Sequence, residues 1–409
     1  MTSIETPLFT LPGPRSVAAF NAEAAFAAPG TQGVALFSKL CFDHGEGAIL
    51  WDADGNRYID LMAGICVASL GYAHPRYVSA LQKQLTRLHV GSFTTAHRAE
   101  LVKLIASITP GDLNRTQFYS SGAEAVEAAL RLAKAHTGKS EVMAFWGGYH
   151  GKTGGVLPLL GGTFKHDLGP FMPGCYLSPY ASRSRDALSS ASDAECLARA
   201  MEFLRRKIQV ETANNIAAII VEPIQGTAGN IVPAPGFLRE LRKLADEIGA
   251  VLIADEMITG FGRTGKMFGV QHDGVVPDIM TVGKAFGGGF PMSGIIASEQ
   301  VAFSAPWSNP SGSSSSYGGN PLAAAAALAA ISITIDEDLP GRAHRIGEKM
   351  LAVMRAWEGD IPIVRDVRGR GLMIGMDLVH PDTGKLLDKT VTREIFEALL
   401  ARGVLSMIY

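Results

Sequence analysis

Four short stretches carry residue types that could do chemistry. In residues 277–294, PDIMTVGKAFGGGFPMSG, an apolar run delivers Lys284 into small residues and a triple glycine. A lysine boxed in this way has little reason to snorkel from a helix face and is a candidate for Schiff-base chemistry. In residues 251–265, VLIADEMITGFGRTG, an apolar run ends in Asp255-Glu256. The carboxyl ends of parallel strands are where ligands bind. Ser121-Gly122-Ala123-Glu124 fits an S-x-x-E capping box, so a helix opens there. Its free N–H groups and positive dipole end suit a phosphate. In residues 146–153, WGGYHGKT, a glycine-rich turn presents Tyr149 and His150, and an exposed aromatic there could stack on a flat ring.

Two tempting motifs fail. A P-loop needs glycine where Trp146 stands. Gly260, Gly262 and Gly265 satisfy G-x-G-x-x-G. However, the acidic pair precedes the glycines and no long amphipathic helix opens after them, which argues against a nicotinamide site.

The elements that must position these residues alternate. Apolar runs at 142–145, 216–221, 251–254 and 279–282 predict buried strands. Helical patterns at 123–136, 196–209 and 235–248 lie between them. That order predicts a mostly parallel, doubly wound α/β sheet. Residues 1–45 read as an arm and 51–60, WDADGNRYID, as a hairpin. The hairpin faintly resembles a calcium loop, but Arg57 and Ala63 occupy the positions that require Gly and Glu. Residues 321–335 predict a buried helix, 309–319 a Ser/Gly loop, 361–379 two strands, and 391–402 a helix.

Together the four stretches closely resemble the class III aminotransferases, pyridoxal-phosphate enzymes of fold type I, from about residue 35 onward. IADEMITGFGRTG and PDIMTVGKAFGGGFPMSG carry the likeness, with Asp255 and Lys284 29 positions apart; YSSGAEAVEAALRLAK and GGYHGKT follow the same order. The resemblance implies a large domain at 61–330 with a mostly parallel, seven-stranded type of sheet. It also implies a small α/β domain made of the arm and hairpin (1–60) and residues 331–409. It further implies that Lys284 forms the Schiff base and moves the proton, and that Asp255 pairs with the pyridine nitrogen. Ser121, Gly122 and Ala123 would hold the phosphate, Tyr149 and Met257 would flank the ring, and His150 and Glu222 would lie at the cofactor. Ser316, where the family usually has Thr, would reach the phosphate of the neighbouring subunit, so the active unit would be at least a homodimer.

The implied reaction is ping-pong transfer of an amino group from a small-molecule amine or amino acid to a keto acid or aldehyde. Family members that use 2-oxoglutarate often carry Glu where Thr227 stands, and a C-terminal R-x-x-PPL segment that this chain does not reach. Arg263 and Arg370 read as fold residues. The C-terminal part of the small domain is expected to be truncated. The other readings are an epimerase or racemase of the same family, a dialkylglycine-decarboxylase-like enzyme, and a truncated cofactor-holding subunit without turnover.

Composition narrows the setting. The 409 residues are 47% hydrophobic and 19% charged, with a net charge of −2. That supports a sizeable core, and no basic excess points to nucleic acid or an anionic membrane. Cys41, Cys66, Cys175 and Cys196 show no metal-ligand spacing. No metal is expected. Reduced thiols and an N-terminus without a basic start and apolar run predict a cytoplasmic protein. Glycine is 46 of 409 residues, above the usual share of about 7%, and implies tight turns and close backbone approach.

Overall fold

The computed structural model describes residues 11–408; the first ten residues of the expected arm, and Tyr409, lie outside the described residues. The chain divides into two compact units. One is Ser79–Asp377, and the other joins the residues before 79 to those from 378 onward.

The larger unit holds a seven-stranded sheet. Its order is β4 (Arg115–Tyr119), β10 (Ser293–Ala297), β9 (Ile279–Val282), β8 (Val251–Asp255), β7 (Ile216–Val221), β5 (Glu141–Phe145) and β6 (Cys175–Ser178). Neighbours from β9 through β6 pair in parallel, and β10 runs antiparallel to both β4 and β9. This is the mostly parallel α/β sheet that the alternating pattern predicts.

Every residue of β5, β7, β8 and β9 is buried. Strands covered on both faces need apolar side chains in both directions, which is why they read as unbroken apolar runs. In β7, Ile219 and Val221 join one core with Phe237, Leu241 and Phe286. Their alternates, Ala218 and Ile220, join the other with Val126, Leu130 and Ala133. Helix Gly122–Thr137 supplies that second face. It opens where Ser121 Oγ accepts the Glu124 amide at 3.3 Å and closes on Gly138 at φ 67°, the left-handed position glycine adopts without strain.

The domain boundary expected at 330 falls inside this unit. Helix Leu339–Asp360 and the hairpin β11 (Val364–Arg370) with β12 (Met373–Leu378) cluster with the large sheet. Polar anchoring explains the hairpin. Arg368 donates to the Gly229 carbonyl at 2.7 Å and pairs with Asp377 at 2.9 Å, and Arg185 forks onto Asp377 at 2.7 and 3.0 Å.

In the smaller unit the strand order is β1 (Phe42–Glu46), β2 (Ile49–Asp52), β3 (Arg57–Asp60), β13 (Val404–Leu405). The hairpin expected at 51–60 is the β2–β3 turn. Its acids serve the backbone. Asp52 accepts from the amides of Asp54 and Asn56 and from Tyr58 Oη, while Asp54 accepts the Arg15 and Ser16 amides that open helix Pro14–Ala24. Ala63, Gly64, Ile65 and Cys66 form a left-handed turn with φ of 51, 58, 65 and 64°. Such a turn costs on the order of 1–2 kcal/mol per non-glycine residue. Asp60 offsets this by accepting from the Met62 and Gly64 amides and from Tyr72 Oη at 2.6–2.9 Å. Among the described residues no helix is long and apolar enough to cross a membrane.

Candidate active site

The C-terminal ends of β8 and β9 bring the strongest candidates together. Asp255 is the last residue of β8 and lies in register with Thr281 of β9. Its carboxylate takes three donors. Oδ1 accepts Thr281 Oγ1 at 3.0 Å and the Met257 amide at 3.2 Å, and Oδ2 lies 2.7 Å from His150 Nδ1. Both side chains of the His–Asp pair are 1% exposed. Burial alone would lower the imidazole pKa, but the hydrogen bond and charge of Asp255, with the charge of Glu222, outweigh it and raise it. Of the two residues expected in the turn after β5, His150 points inward onto Asp255 and Tyr149 is half-buried.

Lys284 follows β9 by two residues. It is half-buried, holds φ at 49°, and its ammonium has no hydrogen-bond or ion-pair partner among the described residues. A lysine held in the left-handed region costs on the order of 1–3 kcal/mol, and such strain concentrates at functional sites.

Met257 ties the lysine loop to the helix N-terminus. A Cβ built on Gly283 would sit 2.6 Å from Met257 Sδ, and one on Gly122 would sit 3.2 Å from it. A side chain at 283 would therefore have to displace the Met257 thioether. Ser293 Oγ donates to the Ser121 carbonyl at 2.7 Å, fixing the Ser121-Gly122-Ala123 segment beside β10. Glu124 reaches back to the Ser120 amide at 2.9 Å, one residue earlier than a standard capping box. The first amides of this 16-residue helix have no intrahelical acceptor, which leaves a cradle for an anion.

Glu222 is fully enclosed at the end of β7. It accepts the Tyr149 amide at 2.8 Å and the Gly226 amide at 3.0 Å, so it holds the Tyr149 turn rather than bonding Asp255 directly. Phe164 meets the Tyr149 ring edge-on at 5.7 Å. Burial pushes the Glu222 carboxyl up to about 7; the nearby His150 charge opposes this rise and Asp255 adds to it. A carboxyl with a raised folded-state pKa stabilises the fold fully below its unfolded value of about 4.5, and that contribution is lost as pH rises through about 7. Apoprotein stability is therefore expected to fall between about pH 5 and 8, with Glu222→Gln flattening the slope. Urea midpoints across that range check this; an unchanged slope in the variant would refute it.

Ser316 lies on the Ser/Gly loop. The loop is pinned through Ser313, whose Oγ meets Tyr119 Oη at 2.5 Å and Arg131 at 3.3 Å, and whose carbonyl accepts from Gln117 at 3.1 Å. Ser92 Oγ donates to the carbonyls of Ser315 and Ser316 at 3.2 and 2.8 Å.

The glycines 260–265 do not open a helix. They turn into the short 3₁₀ segment Gly269–His272, and buried Glu256 holds this stretch by accepting from Thr259 Oγ1 and from the Gly269 and Val270 amides. Sequence reasoning missed Thr281 and the pairing of His150 with Asp255. The signal for Thr281 was a lone hydroxyl in the apolar strand Ile279–Val282. Among the described residues no group of three or more His, Cys, Asp or Glu could hold a metal.

The family described as Aminotransferase class-III matches residues 31–408. An acetylornithine aminotransferase of Methanopyrus kandleri is 40% identical over 344 residues, 83% of this chain and 81% of the relative. The crystal structure of an (S)-enantioselective omega-transaminase from Thermomicrobium roseum superposes with a TM-score of 0.89 at 30% identity, covering 97% of this chain and 92% of that one. An ornithine aminotransferase from Toxoplasma gondii, described with partial occupancy of pyridoxal phosphate at its active site, gives 0.83 at 29% identity over 96% and 86%. The chain belongs to the class III aminotransferases, and its reaction is amino-group transfer. That family is pyridoxal-phosphate-dependent, and its chemistry calls for a small-molecule amino donor and a keto acceptor.

Proposed function

We propose that this site holds pyridoxal 5′-phosphate and runs a ping-pong transfer from an amine or amino acid to a keto acid or aldehyde. One observation carries the reading. At the ends of β8 and β9, a clamped buried carboxylate and an unpaired lysine flank Met257, which also packs against the start of the Gly122–Thr137 helix. The donor set fits the group: amides for a phosphate, a carboxylate for a ring nitrogen, and an amine for an aldehyde. When bound, the cofactor supplies that aldehyde and an electron-withdrawing ring for the substrate carbanion.

The chain's own residues do the rest. Lys284 Nζ anchors the cofactor and carries a proton to and from the substrate α-carbon. Asp255 faces the ring nitrogen, with His150 behind it. Ser121, Gly122 and Ala123 hold the phosphate. Tyr149 and Met257 flank the ring, and Glu222 fixes the Tyr149 turn. Ser316 serves the neighbouring subunit of a homodimer. Phe93 and Tyr317, adjacent to the Ser92–Ser316 contact and each 65% exposed, support a covered face there. The four free cysteines support a reducing, cytoplasmic setting.

The likeness to acetylornithine and omega-transaminases makes amino acids and simple amines the first donors to test. Purified protein is expected to bind pyridoxal phosphate and, given a donor alone, to convert it to pyridoxamine phosphate. Pyruvate or 2-oxoglutarate should then complete the cycle. Exchange of substrate α-deuterium without that conversion would replace transfer by epimerisation. No binding would overturn the enzyme reading.

A further inference from the structure

Thr281 is the one polar side chain in β9, between Met280 and Val282, and is 0% exposed. A buried hydroxyl is costly unless it is paired, and an apolar residue of the same shape would serve packing as well. Its partner is Asp255 Oδ1, at 3.0 Å. The contact follows from register: Asp255 and Thr281 are Cα partners in adjacent parallel strands, and the Glu256 amide closes the ladder on the Thr281 carbonyl at 2.9 Å.

A carboxylate turns easily about its terminal torsion, which has broad minima. Two points of attachment set its plane. His150 holds Oδ2, and on Oδ1 the Met257 amide lies at 3.2 Å, a contact within the local turn. Without Thr281, that longer contact alone would hold Oδ1.

We infer that Thr281 is a positioning residue, which aims the Asp255 carboxylate at the ring nitrogen of the cofactor. The inference rests on the assignment of Asp255 to that nitrogen. Thr281 touches no reacting atom; it acts through Asp255. Lys284 follows Thr281 by three residues, so β9 and the turn after it carry both the hydroxyl that holds Asp255 and the lysine.

The test compares binding of pyridoxamine phosphate, which cannot bond covalently to Lys284, with its 1-deaza analogue, which carries C–H in place of the ring nitrogen. Fluorescence titration reads both affinities. The wild-type protein is expected to prefer the nitrogen-bearing ring. Thr281→Val should lower that preference about tenfold, as the loss of one hydrogen bond to a charged group implies. Its affinity for the analogue should not change, and Thr281→Ser should restore the preference. Thr281→Ala is measured in parallel, so that misfolding of one variant does not decide the outcome. Equal loss of both ligands in the valine and alanine variants would reduce Thr281 to a packing role and overturn the inference. So would a wild-type preference in those variants when Asp255→Asn abolishes it. Absence of any preference in the wild-type protein would instead remove the Asp255 assignment, and the inference with it.

Discussion

Lys284→Ala is expected to lower transamination by at least about 10³-fold while leaving the apoprotein folded. Proton transfer by a positioned group contributes about 10²–10⁴-fold, and the substitution also removes the amine that would anchor the cofactor. The stability side follows from the surroundings. The ammonium has no partner among the described residues, so no buried charge is orphaned by its removal. The backbone strain at φ 49° is shared by any residue with a Cβ, so alanine neither relieves nor adds to it. The apoprotein urea midpoint should therefore stay close to wild type. Borohydride should no longer lock the cofactor to the chain. A variant that keeps more than a tenth of the wild-type rate, or is still trapped by borohydride, would move the amine role elsewhere.

The parts of the fold that could be read from sequence are those where burial is two-sided. The apolar strands β7, β8 and β9 lie at the centre of the sheet and are buried throughout. The two strands at the β4 end of the sheet left weaker marks. β4, Arg115–Tyr119, is exposed at one end and mixed in character, and β10, Ser293–Ala297, begins with Ser-Gly just after the glycine loop. Helix Leu339–Asp360 was obscured by Pro340, Gly341, Gly347 and Gly359. Pro340 sits in the first turn, where no amide donor is needed. At Gly347 a Cβ would come within 2.0 Å of the Gly371 carbonyl, so glycine there serves close packing and breaks nothing. The site divides in the same way. Asp255, Lys284 and the Ser121 helix start are local features, each visible in its own segment. The Thr281–Asp255 bond and the inward turn of His150 depend on which strands are neighbours, and no single segment states that.

Asp255→Asn is the second large effect, and its signature should differ in kind from that of Lys284→Ala. Asparagine keeps the shape and one acceptor oxygen, so Thr281 and the Met257 amide remain satisfied. The negative charge is lost, and with it the proposed pairing with a protonated ring nitrogen, which would strengthen the electron sink. A hydrogen bond to a charged group is worth about 1.5–3 kcal/mol, and each 1.36 kcal/mol on the barrier is about tenfold, so kcat should fall by at least about 10²-fold. Borohydride trapping at Lys284 should survive. Asparagine is the informative choice because Asp255→Ala would leave the buried His150 Nδ1 without its hydrogen-bond partner, at a fold cost of about 1–3 kcal/mol. His150 provides an independent readout. In the wild-type protein Asp255 and Glu222 raise the imidazole pKa against the pull of burial, so the stability it contributes is present below its unfolded value and is lost as pH rises through the raised one. With Asn at 255 burial dominates, the pKa falls below the ordinary 6.5, and the sign reverses: the group then costs stability as the solution is acidified. Titration of the His150 ring protons by NMR in both apoproteins reads this directly. An imidazole that titrates alike in the two would mean that Asp255 does not control it.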